Sequence, residues 1–221
     1  MKLFLQAIIK IVLGIFIVGL LIFVPANTLN FWNGWLFMGL LFIPMFIAGI
    51  VMMIKSPDLL KRRLDIKEKQ GEQKVVVALS GLMFIAGFII AGLNFRYNWI
   101  QIPNIVVIIS SIVFLLSYVL YAEVLRENEY LSRVIEVSEG QKIIDTGLYS
   151  VVRHPMYTAT LLLFLSMPLI LGSIISFVIF LIYPFIIAKR IKNEEEVLEK
   201  ELEGYKEYKD KVKYRMIPFI W

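Results

Sequence analysis

Four apolar runs of membrane-crossing length, at about 3–24, 34–54, 75–93 and 102–125, alternate with short polar stretches along the chain. A hydrocarbon layer about 30 Å thick takes roughly 20 helical residues to cross, so each run predicts one transmembrane helix. A fifth apolar region, 156–188, is interrupted by Pro168, the Gly172-Ser173 pair and Pro184. That pattern predicts a hairpin of two shorter helices joined by a tight turn. The first run is too long for a signal-peptide core and no small-x-small cleavage site follows it, so it is expected to stay in the mature protein.

Composition agrees: 59% of the 221 residues are hydrophobic and the mean hydropathy is +0.76. A water-soluble domain of this size has no use for so much apolar surface. The expected fold is an all-α integral membrane protein of about six hydrophobic helical segments, four spans plus the hairpin, with a cytoplasmic C-terminal helical cap. It is read as a single membrane domain, 1–221. Residues 1–125 supply four transmembrane helices, and 126–221 form a C-terminal half around the hairpin 156–188. No cysteine is present, and His154 is the single histidine. Thiolate chemistry and a multi-histidine metal site are therefore excluded, and no metal is expected. Carboxylates, arginines, tyrosines and backbone remain, which favours a reaction whose difficult part is carried by an organic cofactor.

Charge supplies an orientation. Of 23 Lys and Arg residues, two lie near the N-terminus, seven in 55–74, four in 126–153 and nine in 189–221, with Arg96 alone in a loop on the other side. Basic loops are retained in the cytoplasm, so both termini are expected there. The opposite connections, 25–33 and 94–101 with their flanks, carry Phe31, Trp32, Trp35, Tyr97 and Trp99, as an interfacial aromatic belt does. Topogenesis and attraction to anionic headgroups account for the net charge of +5, and no nucleic acid partner is expected.

Two polar segments, 126–153 and 189–221, stand out as a cap over the bundle. In the second, Ile187, Ile191, Leu198, Leu202 and Tyr205 recur at helical spacing and define one stripe. At about 100° per residue, Glu194 and Glu195 border its two edges while Glu196 points to water. A carboxylate that loses its water needs a cationic partner. That partner is either a ligand ammonium or a protein cation, for instance Arg190 or Arg153 in a structural ion pair with Glu195.

The first segment ends in Gly147-Leu148-Tyr149 and Arg153-His154-Pro155-Met156-Tyr157, where a polar loop turns into an apolar helix. Pro155 suits a first helical turn. Free N–H groups there, with Arg153, form a site for an anion, and the tyrosines offer faces to an adenine or a cation. The alternative reading makes Arg153 and His154 interfacial anchors within an aromatic belt.

The order Gly147-x-Tyr149, Arg153-His154-Pro155-x-Tyr157, Arg190-Ile191-x-x-Glu194-Glu195-x-x-Leu198, Tyr205-x-x-Tyr208-x-x-x-Val212 and Ile217-Pro218 resembles the isoprenylcysteine carboxyl methyltransferase family and its prokaryotic relatives. The resemblance covers roughly the C-terminal hundred residues, from Asn128 onward, and these enzymes are similar to membrane phospholipid methyltransferases. It implies S-adenosylmethionine as cofactor, held by Tyr149, Arg153, His154, Pro155, Tyr157, Arg190, Glu194 and Glu195, with Arg153 and Glu195 as the catalytic pair. It also implies a prokaryotic cytoplasmic membrane. The substrate does not carry over with the cofactor; because the motif residues sit at the membrane–cytosol boundary on both sides of the hairpin, a lipophilic acceptor entering from the bilayer is expected, a prenylcysteine-like carboxylate or a lipid amine. Leu148 stands where bacterial relatives often carry Pro. Asn128, Ser132 and Arg133 precede the motif and could touch cofactor or substrate. The chain has no Gly-rich strand-to-helix fingerprint, so the soluble dinucleotide-type way of holding this cofactor is not available.

Two rivals remain. Membrane sterol reductases share an Arg-His-Pro segment and would deliver hydride from NAD(P)H, but they continue with Asn-Tyr where this chain has Met156-Tyr157-Thr158. A non-enzymatic transport or assembly protein would place ionisable residues along several spans, and the first three are nearly free of them.

Overall fold

In the computed structural model, residues 2–64, 71–132, 134–135 and 137–221 are described. Arg133, singled out above, lies outside them. The helices are α1 (Lys2–Ala26), α2 (Trp32–Lys55), α3 (Pro57–Leu64), α4 (Gly71–Tyr97), α5 (Asn104–Glu127), α6 (Pro155–Ile170), α7 (Ile174–Phe180), α8 (Tyr183–Glu201) and α9 (Tyr205–Lys211), with a 3₁₀ turn at Gly147–Ser150. Among the described residues, five stretches are long and apolar enough to cross a membrane: four within α1, α2, α4 and α5, and the fifth, Ile174–Glu201, running through α7 and α8. The outer faces of the first four are apolar and exposed, for example Phe16, Ile43, Leu82 and Leu116. The protein is an all-α integral membrane protein.

The hairpin forms as its sequence breaks suggest, with one difference. Pro168 does not end α6, which continues to Ile170, because a proline in the last turn removes only one intrahelical bond. The reversal falls at Gly172-Ser173, where Gly172 has φ +76° and Ser173 caps α7 by accepting from the Ser176 amide. Two asparagines from other spans fasten this turn: Asn33 Nδ2 donates to Ile170 O at 2.8 Å, and Asn94 Nδ2 to Gly172 O at 3.4 Å. Pro184, in the first turn of α8, accounts for the break after α7.

Packing in hydrocarbon relies on close van der Waals fit and hydrogen bonds between helices. Gly87 on α4 shows it, since a Cβ there would lie 2.2 Å from Phe180 Cε2. The same contact is tied by Ser176 Oγ donating to Gly87 O at 2.8 Å. Around it Phe84, Phe88, Phe164 and Phe180 form an aromatic cluster. At the far end Trp32, Trp35, Tyr97 and Trp99 are exposed as a belt requires, but Phe31 is not: it is buried and stacks on Phe95 at 4.2 Å. A phenyl ring has no polar tip to keep at the interface, so packing wins.

Candidate functional site

At the end of the bundle where α1 begins and α2 ends, the segment 128–146, the 3₁₀ turn, the start of α6, α8 and α9 enclose one cleft. Its cavity volume is about 100 Å³, and it opens to the outside. In the cap, 189–201 and 205–211 are helical, whereas the described residues of 128–146 form no helix.

The floor is built by backbone pairing. The Arg153 amide donates to Tyr214 O at 2.9 Å and the His154 amide to Arg215 O at 2.8 Å, while Thr158 Oγ1 donates to Met216 O at 2.6 Å. The C-terminal segment therefore takes the two amides that lead into α6, while within its first turn the Tyr157 amide donates to His154 O at 3.0 Å. Side chains repeat the arrangement. Arg153 sends Nε and Nη2 to Glu195 Oε1 at 2.8 and 2.7 Å, and Nη1 to Val212 O at 2.5 Å. Arg215 Nε donates to Glu195 Oε2 at 2.8 Å, and His154 Nε2 stands 3.3 Å from Glu195 Oε1. Glu195, only 2% exposed, is thus surrounded by protein cations.

Its neighbour faces differently. Glu194 lines the cleft with Tyr149, Arg153, His154, Tyr157 and Arg190. Tyr157 donates its hydroxyl to Glu194 Oε2 at 2.5 Å and accepts from Arg190 Nε at 2.9 Å, and Arg190 Nη1 reaches Gln73 Oε1 at 3.0 Å. Glu194 Oε1 has His154 Nδ1 at 3.7 Å, beyond hydrogen-bond length. Glu196 is exposed. Pro155 is buried under the cleft as the first residue of α6.

On the opposite wall Leu131, Val134, Ile135 and Ile143 face Leu198, Leu202 and Tyr205. Asn128 Nδ2 donates to Tyr149 Oη at 3.0 Å, and Tyr208 Oη donates to Tyr149 O at 2.7 Å. Ser132 lines the cleft, and its carbonyl accepts from Arg63 Nη1 at 3.1 Å. Burial pushes the phenols of Tyr149, Tyr205 and Tyr208 up. They stay protonated at neutral pH and are not bases. The Tyr205 hydroxyl is buried on the cleft wall and has no hydrogen-bond partner among the described residues.

Sequence reading missed Arg215, Gln73 and Glu127. Glu127 accepts the Leu148 amide at 3.0 Å, which is possible because Gly147 has φ +55° and no side chain. A Cβ there would lie 1.8 Å from Glu127 Oε1. Gly147→Ala is accordingly expected to displace Glu127, shift Tyr149 and destabilise the fold by roughly 1–3 kcal/mol. Thermal melting of the detergent-purified variant checks it.

A membrane-embedded helical bundle thus holds, at one end, a cleft lined by tyrosines, a carboxylate and apolar side chains. Residues 107–200 match the isoprenylcysteine carboxyl methyltransferase (ICMT) family. This stretch is isoprenylcysteine carboxyl methyltransferase-like, which supports a membrane methyltransferase and takes in every cleft residue from Asn128 to Leu198. A stretch of 90 residues is 28% identical to Delta(14)-sterol reductase TM7SF2 of Mus musculus. That match takes in 39% of this chain and 22% of the reductase, so the chain spans under a quarter of that relative's length.

Proposed function

We propose that the protein is an S-adenosylmethionine-dependent methyltransferase that acts on a lipophilic acceptor, a prenylcysteine-like carboxylate or a lipid amine. The observation that carries this reading is the cleft wall itself. Among the described residues, Glu194 Oε1 has no partner nearer than His154 Nδ1 at 3.7 Å and the buried Tyr205 Oη has none, and both residues lie on the same cleft as apolar side chains. These groups fit an ammonium, a polar ring edge and an adenine. The cofactor supplies a methyl group already activated on sulfonium.

The chain's own work is binding, alignment and exclusion of water. Glu194 accepts the ammonium; Tyr149 and Tyr157 line the polar wall; His154 hydrogen-bonds from the floor. Arg190 acts by holding Tyr157. Arg153 and Glu195 act from below as a positioning pair that fixes α8 and the C-terminal segment against the start of α6.

Calorimetric titration of the purified protein tests the reading. S-adenosylmethionine is expected to bind and NADPH to give no heat. The reverse result would favour the hydride-transfer activity of the sterol reductase relative. The cleft end is proposed to face the cytoplasm of a prokaryotic cell. In this cysteine-free chain, an impermeant maleimide added to intact cells should label Tyr97→Cys and spare Lys213→Cys.

A further inference from the structure

A second depression lies at the same end of the bundle, between the α2–α3 elbow and the end of α5, and no part of the proposed reaction uses it. Lys55, Lys61, Arg62 and Arg126 line it against Asp58 and Glu129. Four cations to two acids leave a local excess of positive charge. Arg126 is engaged by Glu123 at 2.5 Å. Lys55 and Lys61 are exposed and have no ion-pair partner among the described residues. Arg62 Nη2 donates to Glu129 O at 2.5 Å, yet its Nε is buried and has no acceptor among the described residues. The Glu129 carbonyl thus holds the guanidinium on the groove wall.

Height in the bundle tells which ligand. Ile54, immediately before Lys55 on a membrane-crossing helix, is 77% exposed, so the depression sits where hydrocarbon gives way to headgroups. Two mobile ammonium groups and a fixed guanidinium edge suit a phosphate. We propose that this groove binds the phosphate of an anionic phospholipid, with Lys55 and Lys61 supplying charge and the exposed edge of the Arg62 guanidinium, already oriented by Glu129 O, a directional hydrogen bond.

Native mass spectrometry of the detergent-purified full chain tests the assignment, with dioleoyl phosphatidylglycerol, dioleoyl phosphatidylcholine and inorganic phosphate as probes. Phosphatidylglycerol should bind roughly tenfold more tightly than phosphatidylcholine, since each basic residue near a surface adds severalfold affinity for anionic lipid. The double variant Lys55→Gln/Lys61→Gln, altered only at exposed positions, should lower phosphatidylglycerol to the phosphatidylcholine level. Arg62→Gln should weaken it as well. Equal affinity for the two lipids, or an unchanged preference in the double variant, would overturn the proposal. Displacement of phosphatidylglycerol by millimolar inorganic phosphate would assign a soluble occupant and overturn the lipid. No methyl transfer enters the readout, so this proposal and the proposed activity fail separately.

Discussion

Arg153→Ala is expected to lower the melting temperature of the purified protein sharply and to weaken S-adenosylmethionine binding by tenfold or more. The reason is burial: the Arg153 and Glu195 side chains are 4% and 3% exposed. Truncating the arginine leaves a carboxylate out of water with only Arg215 and His154 beside it. Breaking a buried ion pair from one side destabilises by about 3–5 kcal/mol. The same substitution frees Val212 O, to which Arg153 Nη1 donates, so the C-terminal segment loosens with it. Glu195→Gln keeps the shape and removes the charge. It should therefore melt less dramatically while still costing about 1.4 kcal/mol of cofactor affinity, a factor of ten. Arg153→Lys should restore little, because an ammonium cannot span Glu195 and Val212 as the planar fork does. Glu196→Gln, altered at an exposed carboxylate one residue on, should change neither melting nor titration. Equal effects at Glu195 and Glu196 would mean that the buried ion-pair cluster does not govern the site.

The spans were legible because a membrane imposes one demand, apolar length, that any helix must meet over its whole run. Boundaries read from the apolar runs fall within about four residues of those in the structure. The cleft was legible for a different reason. Tyr149, Arg153, His154 and Tyr157 stand close together in sequence and reach the cleft from the 3₁₀ turn and the start of α6, and Arg190 and Glu194 reach it from α8. The stripe of Leu198, Leu202 and Tyr205 also converges, although α8 ends at Glu201. Gly204, at φ +81°, turns the chain so that α9 continues the same apolar face against Ile143.

What stayed hidden came from distant segments. Gln73 reaches Arg190 from α4 across 117 positions, and no local pattern marks a lone glutamine at the head of a span. Tyr214 and Arg215 pair with the start of α6 through backbone carbonyls, which every residue carries, so they leave no signature in residue type. Which of two adjacent acids faces the cleft was equally invisible: a helical projection places both Glu194 and Glu195 at stripe edges. The pairing of Glu195 with Arg153, His154 and Arg215 leaves Glu194 as the carboxylate with an oxygen to offer.

Shortening the hydrocarbon tail of the acceptor by five carbons is expected to raise KM roughly a thousandfold. The cleft is bounded by the first turn of α6, through Met156 and Tyr157, and by Arg190 of α8. Both helices pass directly into the apolar bundle, so an acceptor head at the cleft leaves its tail among the spans or in the lipid around them. Each buried CH₂ contributes about 0.8 kcal/mol, so five contribute about 4 kcal/mol, close to three factors of ten in affinity. If the tail only anchors, ground state and transition state gain alike and kcat holds steady; if it also aligns the nucleophile, kcat falls with it. Radiolabelled methyl transfer from S-adenosylmethionine to prenylcysteine analogues, fatty acids and lipid amines of graded length separates these outcomes. A water-soluble acid or amine methylated as efficiently as its long-chain counterpart would defeat lateral entry from the bilayer, even with methyl transfer itself established.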